Sequence, residues 1–265
     1  MAMEMTADVL RLAGRALETA WWGAREGPAL VLLHEGLGSV GLWRDFPALL
    51  ADATGLRAFA WSRAGYGRST PITPPRPLHY MQEEAALWVR PVLDAVGIGD
   101  CVLVGHSDGA SIAALYAGTV QDPRVRGLVL LAPHFFVEDI CIAGIEAARE
   151  RYLHGDLRAR LARHHADADG AFWGWNGAWL DPGFRAWNIT EAAARIRVPT
   201  LLVQGLADPY GTAEQTRVAE RTIPAPVETL LLPGVGHAPH LAMAEVTRDA
   251  VARFIRPLLG PPHAI

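Results

Sequence analysis

The chain has 265 residues, of which 51% are hydrophobic and 20% are charged, so a large core can form and a disordered chain is excluded. Its 24 basic residues are all Arg, which excludes a Schiff-base lysine, a Ser–Lys dyad and a phosphate loop ending in Lys. A net charge of −4 and only two cysteines argue against a nucleic-acid partner, a disulfide framework and a structural zinc site.

The N-terminal segment, residues 1–8, is acidic and leads into no apolar stretch. A secretory signal is therefore not expected. Because no run of about 18 apolar residues occurs, a transmembrane helix is not expected either. These features predict a cytoplasmic protein without a membrane partner.

Apolar runs of strand length recur along the chain, at residues 29–34, 57–62, 101–105, 127–132, 199–204 and 227–232. They are nearly continuous, which is typical of strands buried on both faces of a parallel sheet. Helical spacing predicts helices at residues 42–53, 79–96, 107–119, 212–221 and 241–259. The alternation predicts an α/β fold with a doubly wound, mostly parallel sheet.

Residues 134–196 interrupt this alternation, because they contain no convincing strand. They carry four closely spaced tryptophans, namely Trp173, Trp175, Trp179 and Trp187. We predict that this segment is a helical cap or lid, and that residues 1–133 and 197–265 form the core domain.

The strongest chemical signal is the string Gly105-His-Ser107-Asp-Gly109. It follows a predicted strand and precedes a predicted helix, as a nucleophile elbow requires. The glycines are needed because the turn is tight, and the strain raises the serine hydroxyl above the sheet. The alternative is a Gly-rich turn with a serine N-cap. His106 is interpreted as a structural neighbour of the elbow.

A serine hydroxyl needs a base, and the base needs an orienting acid. Asp208 and His237 follow the two last predicted strands, so both should lie at the sheet edge that carries Ser107. We predict a triad of Ser107, His237 and Asp208. Asp208 could instead be a turn-forming residue before Pro209, and His240 could replace His237 as the base.

An oxyanion hole requires two backbone N–H donors. The first is predicted to be Asp108, which follows the nucleophile. The second is predicted to be Gly36, in the loop after the first predicted strand. These glycines also suit a tight strand-to-helix turn, and the two interpretations are compatible.

These motifs, together with the segment Ser62-Arg-Ala-Gly-Tyr-Gly-Arg-Ser69 and Gly236-His237, resemble the α/β-hydrolase superfamily between about residues 28 and 254. The resemblance implies an eight-stranded sheet, a Ser–Asp–His triad and a helical cap between strands six and seven. Two positions differ from the usual pattern. Glu35 stands where a glycine is usual, and Ser62 stands where an aspartate is usual.

Further residues are candidates for substrate contact. Glu35 could bind a polar group or tune His34, or it could be a solvated or ion-paired side chain. Trp173, Trp175 and Trp179 could wall an apolar pocket or form the core of the cap. The cluster His164-His165-Ala-Asp167-Ala-Asp169 superficially resembles a metal site, but it is interpreted as a solvated helix end.

The sequence therefore predicts a serine hydrolase that cleaves a carboxylic ester or a related acyl compound through an acyl-enzyme. Its partner is a small molecule with an apolar or aromatic part, a homo-oligomer is compatible with the sequence, and no metal or organic cofactor is expected. Alternatives on the same scaffold are a carbon–carbon bond hydrolase, a lactonase and an acyltransferase. A ligand receptor that has lost catalysis and a purely structural protein are the remaining interpretations.

Overall fold

The computed structural model describes residues 6–259, and within them the chain forms eight strands. The strands are β1 (Thr6–Leu12), β2 (Arg15–Trp22), β3 (Ala29–Leu33), β4 (Arg57–Trp61), β5 (Cys101–His106), β6 (Val125–Leu131), β7 (Thr200–Gly205) and β8 (Val227–Leu232). The α-helices are α1 (Phe46–Thr54), α2 (Tyr80–Glu84), α3 (Arg90–Ala95), α4 (Asp108–Thr119), α5 (Asp139–His154), α6 (Leu157–Leu161), α7 (Ala168–Trp179), α8 (Thr190–Ala193), α9 (Glu214–Thr222), α10 (Pro239–Ala242) and α11 (Ala244–Ile255). Residues 1–5, on which part of the expectation about a secretory signal rests, lie outside the described range.

All eight strands belong to one sheet in the order β1-β2-β4-β3-β5-β6-β7-β8. Neighbours from β4 onwards pair in parallel, whereas β2 pairs antiparallel with both β1 and β4. The predicted eight-stranded, mostly parallel α/β sheet is thus confirmed. The six strands read directly from apolar runs are all present, with ends shifted by up to two residues.

The apolar runs are continuous because each parallel strand is covered on both faces. In β3, Leu30 and Leu32 pack into one core layer, while Val31 and Leu33 pack into the layer on the opposite face. Successive side chains of a strand point to opposite faces, so both sets must be apolar. The result is a rigid central sheet whose strand ends position the loops described below.

The β1–β2 hairpin was not among the strands predicted from apolar runs. In β2 the buried residues alternate with half-buried ones over much of the strand, because this end of the sheet is partly exposed. Such an alternating pattern is typical of antiparallel strands. The hairpin completes the sheet at the edge opposite β8.

The residues between β6 and β7 form helices α5 to α8 and a 3₁₀ turn at Pro182–Ala186. Their only extended pairing among the described residues is an isolated bridge between Phe136 and Asn188. Across residues 6–259, no helix combines the length and apolar character needed to span a membrane.

Candidate active site

Ser107 lies at a sharp turn between β5 and α4. Its φ of 52° and ψ of −119° place it in the positive-φ region, which costs free energy for any residue with a side chain. The neighbouring glycines have no space for a side chain, since a Cβ at Gly105 would lie 2.4 Å from the Cα of Ala110 and one at Gly109 would lie 1.9 Å from the carbonyl of Leu33. The turn is therefore fixed by close backbone contacts, as the predicted elbow requires.

Asp208 and His237 form a hydrogen-bonded pair at the ends of β7 and β8. His237 Nδ1 donates to Asp208 Oδ2 over 2.7 Å, and that oxygen also accepts from Gln204 at 2.9 Å. The backbone N–H of Tyr210 donates to the other carboxylate oxygen at 2.8 Å. Burial raises the pKa of Asp208, but the hydrogen bond and the charge of His237 lower it by more than burial raises it. The net pKa of Asp208 therefore lies below the usual value. Asp208 is thus an ionised partner of His237.

His240, the alternative base, is placed differently. It is buried against the rings of Trp43 and Phe46, with centroids 5.1 and 5.3 Å away. Burial holds the pKa of His240 well below its usual range. His237, and not His240, is therefore the histidine paired with Asp208.

Ser107 and His237 both line a cavity of about 140 Å³, here called the elbow cavity. Its lining residues are Glu35, Gly36, Leu37, Ser107, Asp108, His134, Cys141, Ile145, Trp175, Trp179, Tyr210 and His237. Larger surface clefts of about 760, 540 and 430 Å³ contain none of the predicted site residues. The elbow cavity thus brings Ser107 and His237 to one wall, although they make no direct hydrogen bond in the described chain.

Gly36 and Asp108, the two predicted oxyanion donors, also line the elbow cavity. Asp108 is the first residue of α4, so its N–H has no acceptor within the helix. A Cβ at Gly36 would lie 2.3 Å from the Trp175 ring, which packs directly over the loop. Both amides therefore belong to backbone segments that are held in place beside Ser107.

The loop that carries Gly36 is held by His34 and Arg63. His34 Nε2 accepts from the backbone N–H of Arg63 at 3.0 Å, and His34 Nδ1 lies 2.7 Å from the carbonyl of Glu35. The Arg63 guanidinium donates to the carbonyls of His34 and Glu35. Burial, and then the charge of Arg63, hold the pKa of His34 well below its usual range. His34 is thus a neutral, fully buried side chain outside the cavity lining, and its predicted contact with substrate is not supported.

The side chain of Asp108 is connected to the segment between β6 and β7. Tyr80 donates its hydroxyl proton to Asp108 Oδ2, and Trp179 Nε1 donates to the Tyr80 oxygen at 3.0 Å. Burial raises the pKa of both Asp108 and Tyr80. This chain of hydrogen bonds joins α7 to the elbow, and no sequence pattern indicated the role of Tyr80.

The three candidate tryptophans of α7 separate into two groups. Trp175 and Trp179 line the elbow cavity. Trp173 instead packs against Tyr152 and Phe172, with ring centroids 5.7 and 5.0 Å apart. The predicted contact of Trp173 with substrate is therefore not supported by its position, whereas the other two contribute an apolar wall.

Among residues 6–259, no group of three or more His, Cys, Asp or Glu side chains is arranged to hold a metal ion. The interpretation of His165 as part of a solvated helix end is wrong. His165 is buried in the loop between α6 and α7, where its Nδ1 accepts from the N–H of Gly67 at 2.9 Å and its Nε2 lies 3.0 Å from the carbonyl of Leu37. Asp169 pairs with Arg158 instead.

The fold and the elbow define a hydrolase of the α/β class. A family model described as the alpha/beta hydrolase family matches residues 30–250, and the chain belongs to this family.

Similar proteins include the bifunctional esterase/perhydrolase DCH of Acinetobacter calcoaceticus, which is 25% identical over 89% of this chain and 94% of the relative's length. The non-heme chloroperoxidase of Streptomyces lividans is 28% identical over 72% of this chain and 79% of the relative's length. The enol-lactonase of Burkholderia xenovorans LB400 shares the fold, with a TM-score of 0.73 at 18% identity over 94% of this chain and 99% of that one. The protein is thus an enzyme of hydrolase type.

Proposed function

We propose that the protein hydrolyses a carboxylic ester or a related acyl compound through an acyl-enzyme on Ser107. The observation that carries the proposal is the 2.7 Å hydrogen bond between Asp208 and His237 at the wall of the cavity that Ser107 also lines. Because Nδ1 of His237 is engaged by Asp208, Nε2 is the nitrogen left to take the serine proton. In free enzymes such contacts are often loose and tighten only when substrate binds.

The reaction then follows from these roles. Ser107 Oγ attacks the carbonyl carbon while its proton passes to His237, and the N–H groups of Gly36 and Asp108 donate to the oxyanion of the tetrahedral intermediate. The alcohol leaves with the proton from His237, and the acyl group remains on Ser107. Water, deprotonated by His237, attacks the acyl carbon, and the carboxylic acid leaves as Ser107 regains its proton.

The substrate class follows from the wall of the elbow cavity. Leu37, Ile145, Trp175 and Trp179 offer an apolar and aromatic surface beside the nucleophile. We therefore propose an acyl or alcohol group with an apolar or aromatic part. The esterase activity in the printed name of the Acinetobacter relative supports ester hydrolysis. We propose further that residues 134–196 act as a cap, since α7 supplies both tryptophans.

The test is the substitution Ser107→Ala. We expect a folded protein that does not turn over p-nitrophenyl esters, because the nucleophile is gone. A fluorophosphonate probe should label the wild type and not this variant. Ser39→Ala is a matched control, since Ser39 is buried, has no hydrogen-bond partner for its hydroxyl and does not line the elbow cavity. Wild-type turnover by the Ser107 variant, or failure of the probe to label the wild type, would reject the proposal.

A further inference from the structure

Glu35, His106 and the backbone of His237 form a row of contacts beside the elbow. The Glu35 Oε2 atom lies 3.4 Å from His106 Nδ1, and His106 Nε2 lies 2.8 Å from the carbonyl oxygen of His237. A carbonyl can only accept a hydrogen bond, and so can an ionised carboxylate. Both contacts are therefore satisfied together only when both ring nitrogens of His106 carry protons.

The surroundings of His106 favour this charged form. Burial lowers the pKa of His106, but the hydrogen bond and the charge of Glu35 raise it by more, so the net pKa lies above the usual value. Burial raises the pKa of Glu35, but the contact with His106 outweighs it, and the net pKa falls well below the usual value. Glu35 and His106 thus each stabilise the charged form of the other, and the pair is an ion pair below the pKa of His106.

Other titratable groups also face the His106 ring. The rings of His237 and His240 lie 5.1 and 4.6 Å away, centroid to centroid. His240 is neutral because burial depresses its pKa. Asp208 adds a weaker attraction, but its oxygens bond to His237 and its own loop. Glu35 is therefore the carboxylate that contacts His106 directly.

The position of His106 gives this ion pair a consequence for the reaction. His106 immediately precedes Ser107 at the end of β5, and it bonds to the backbone of the residue that carries the proposed base. The loop before His237 contains Gly234, whose φ is 71°, and Gly236, both of which allow backbone freedom. A charge-assisted hydrogen bond is about twice as strong as a neutral one, so it suits the fixing of such a loop.

We propose that Glu35 is a positioning residue: by keeping His106 as an imidazolium, it fixes the backbone of His237 and thereby holds the general base in register with Ser107. This inference rests on the proposed function of His237. It assigns a role to the glutamate that stands where a glycine is usual in the superfamily.

Direct substrate binding by Glu35 is the competing role, because its side chain is 25% exposed and lines the elbow cavity. The two roles differ in kinetics. Loss of a binding contact raises KM and leaves kcat unchanged, whereas misplacement of the base lowers kcat with little effect on KM.

The experiment compares Glu35→Ala, Glu35→Gln and Glu83→Ala in ester hydrolysis. For Glu35→Ala we expect kcat to fall about tenfold with KM changed by less than about twofold. Glu35→Gln should retain more activity, because its amide can still contact the neutral ring. Glu83→Ala removes the glutamate of another His–Glu pair, 2.8 Å from His79 on an exposed helix surface, and should match the wild type.

Two further measurements show whether Glu35 acts through His106. In ¹⁵N NMR spectra of the histidine side chains, His106 should titrate at a lower pH in Glu35→Ala than in the wild type. In a His106→Phe background, Glu35→Ala should change kcat by less than about twofold, because the shared contact is already lost.

The pH dependence has a definite sign. Because Glu35 raises the pKa of His106, the imidazolium persists to higher pH in the wild type. The advantage of the wild type in kcat over Glu35→Ala should therefore be largest between the His106 pKa of the variant and that of the wild type, and shrink as the pH rises through the wild-type pKa. An unchanged kcat in Glu35→Ala, a change in KM alone, or an unaltered His106 titration would overturn the inference. Retained activity in Ser107→Ala would instead reject the proposed function, so the two failures are distinguishable.

Discussion

Gly36 lies under the ring of Trp175 in the loop that is proposed to donate to the oxyanion. A Cβ at this position would lie 2.3 Å from the ring, so an alanine must displace either the loop or the tryptophan. Since misplacement by about 1 Å can lower a rate a hundredfold, we expect kcat/KM of Gly36→Ala to fall by about ten- to a hundredfold. Ester hydrolysis by the purified variant measures this effect.

Gly99→Ala is the matched control for that substitution. A Cβ at Gly99 meets no atom within 4 Å, so its activity and stability should equal those of the wild type or improve slightly. Equal activity in the two variants would show that the loop tolerates the change, and that its position does not limit the reaction.

Single residues of the proposed triad were predictable because strand ends and residue order locate them. Ser107, Asp208 and His237 follow strands whose apolar runs are clear. The groups that contact Asp108 and His106, on either side of Ser107, were not predictable, since Tyr80 and Glu35 come from distant parts of the chain. Ser62 shows the same limit, because the carboxylate absent at this position comes from Glu18 on β2, whose Oε2 accepts from the Ser62 hydroxyl at 2.6 Å.

At the scale of elements, the tryptophans of helix α7 show what can be predicted from residue spacing alone. Trp175 and Trp179 are four residues apart and share one face of the helix. Trp173 lies on another face and packs within the helical segment. The helical spacing thus separates the two groups, but only the tertiary packing decides which face borders the elbow cavity.

The loop between α6 and α7 is attached to the core by His165. Its ring contacts the N–H of Gly67 and the carbonyl of Leu37, and Leu37 borders the elbow cavity. Replacement by Leu leaves both backbone groups buried without a partner, at a cost of about 1–3 kcal/mol for each. We therefore expect His165→Leu to lower the free energy of unfolding by about 2–6 kcal/mol and to reduce kcat/KM.

Urea unfolding with matched activity measurements tests this expectation. His154→Leu is the control, because the side chain of His154 is 74% exposed on α5, where it lies 3.7 Å from Glu150. If the two variants have the same stability, the His165 contacts do not attach this loop to the core.

At the scale of the whole molecule, buried neutral histidines determine how stability depends on pH. They are His34, His134, His165 and His240, and burial is the largest cause that lowers the pKa of each. In the unfolded chain these groups titrate near their ordinary value of 6.5. Below that pH the unfolded state binds more protons than the folded state, so stability is complete above it and is lost as the pH falls.

His106 acts in the opposite direction, because Glu35 raises its pKa in the folded protein. The stability that it contributes is complete below the ordinary histidine value and is lost as the pH rises through its folded pKa. The loss of stability at acid pH and the loss at alkaline pH therefore have different origins. The free energy of unfolding should be greatest between these two pH ranges.

His240→Phe tests the loss of stability at acid pH most directly, since His240 packs against Trp43 and Phe46 and its Nδ1 has no partner. Each histidine that must take up a proton on unfolding contributes a slope of about 1.4 kcal/mol per pH unit. As the pH falls from about 6.5 to 5, the wild-type free energy of unfolding should therefore decrease with a slope that corresponds to more than one proton taken up on unfolding. His240→Phe should reduce that uptake by about one proton. Urea unfolding at several pH values measures both slopes, with His154→Phe as the exposed control. A slope unchanged by His240→Phe would mean that His240 is already protonated in the folded protein, which its apolar surroundings oppose.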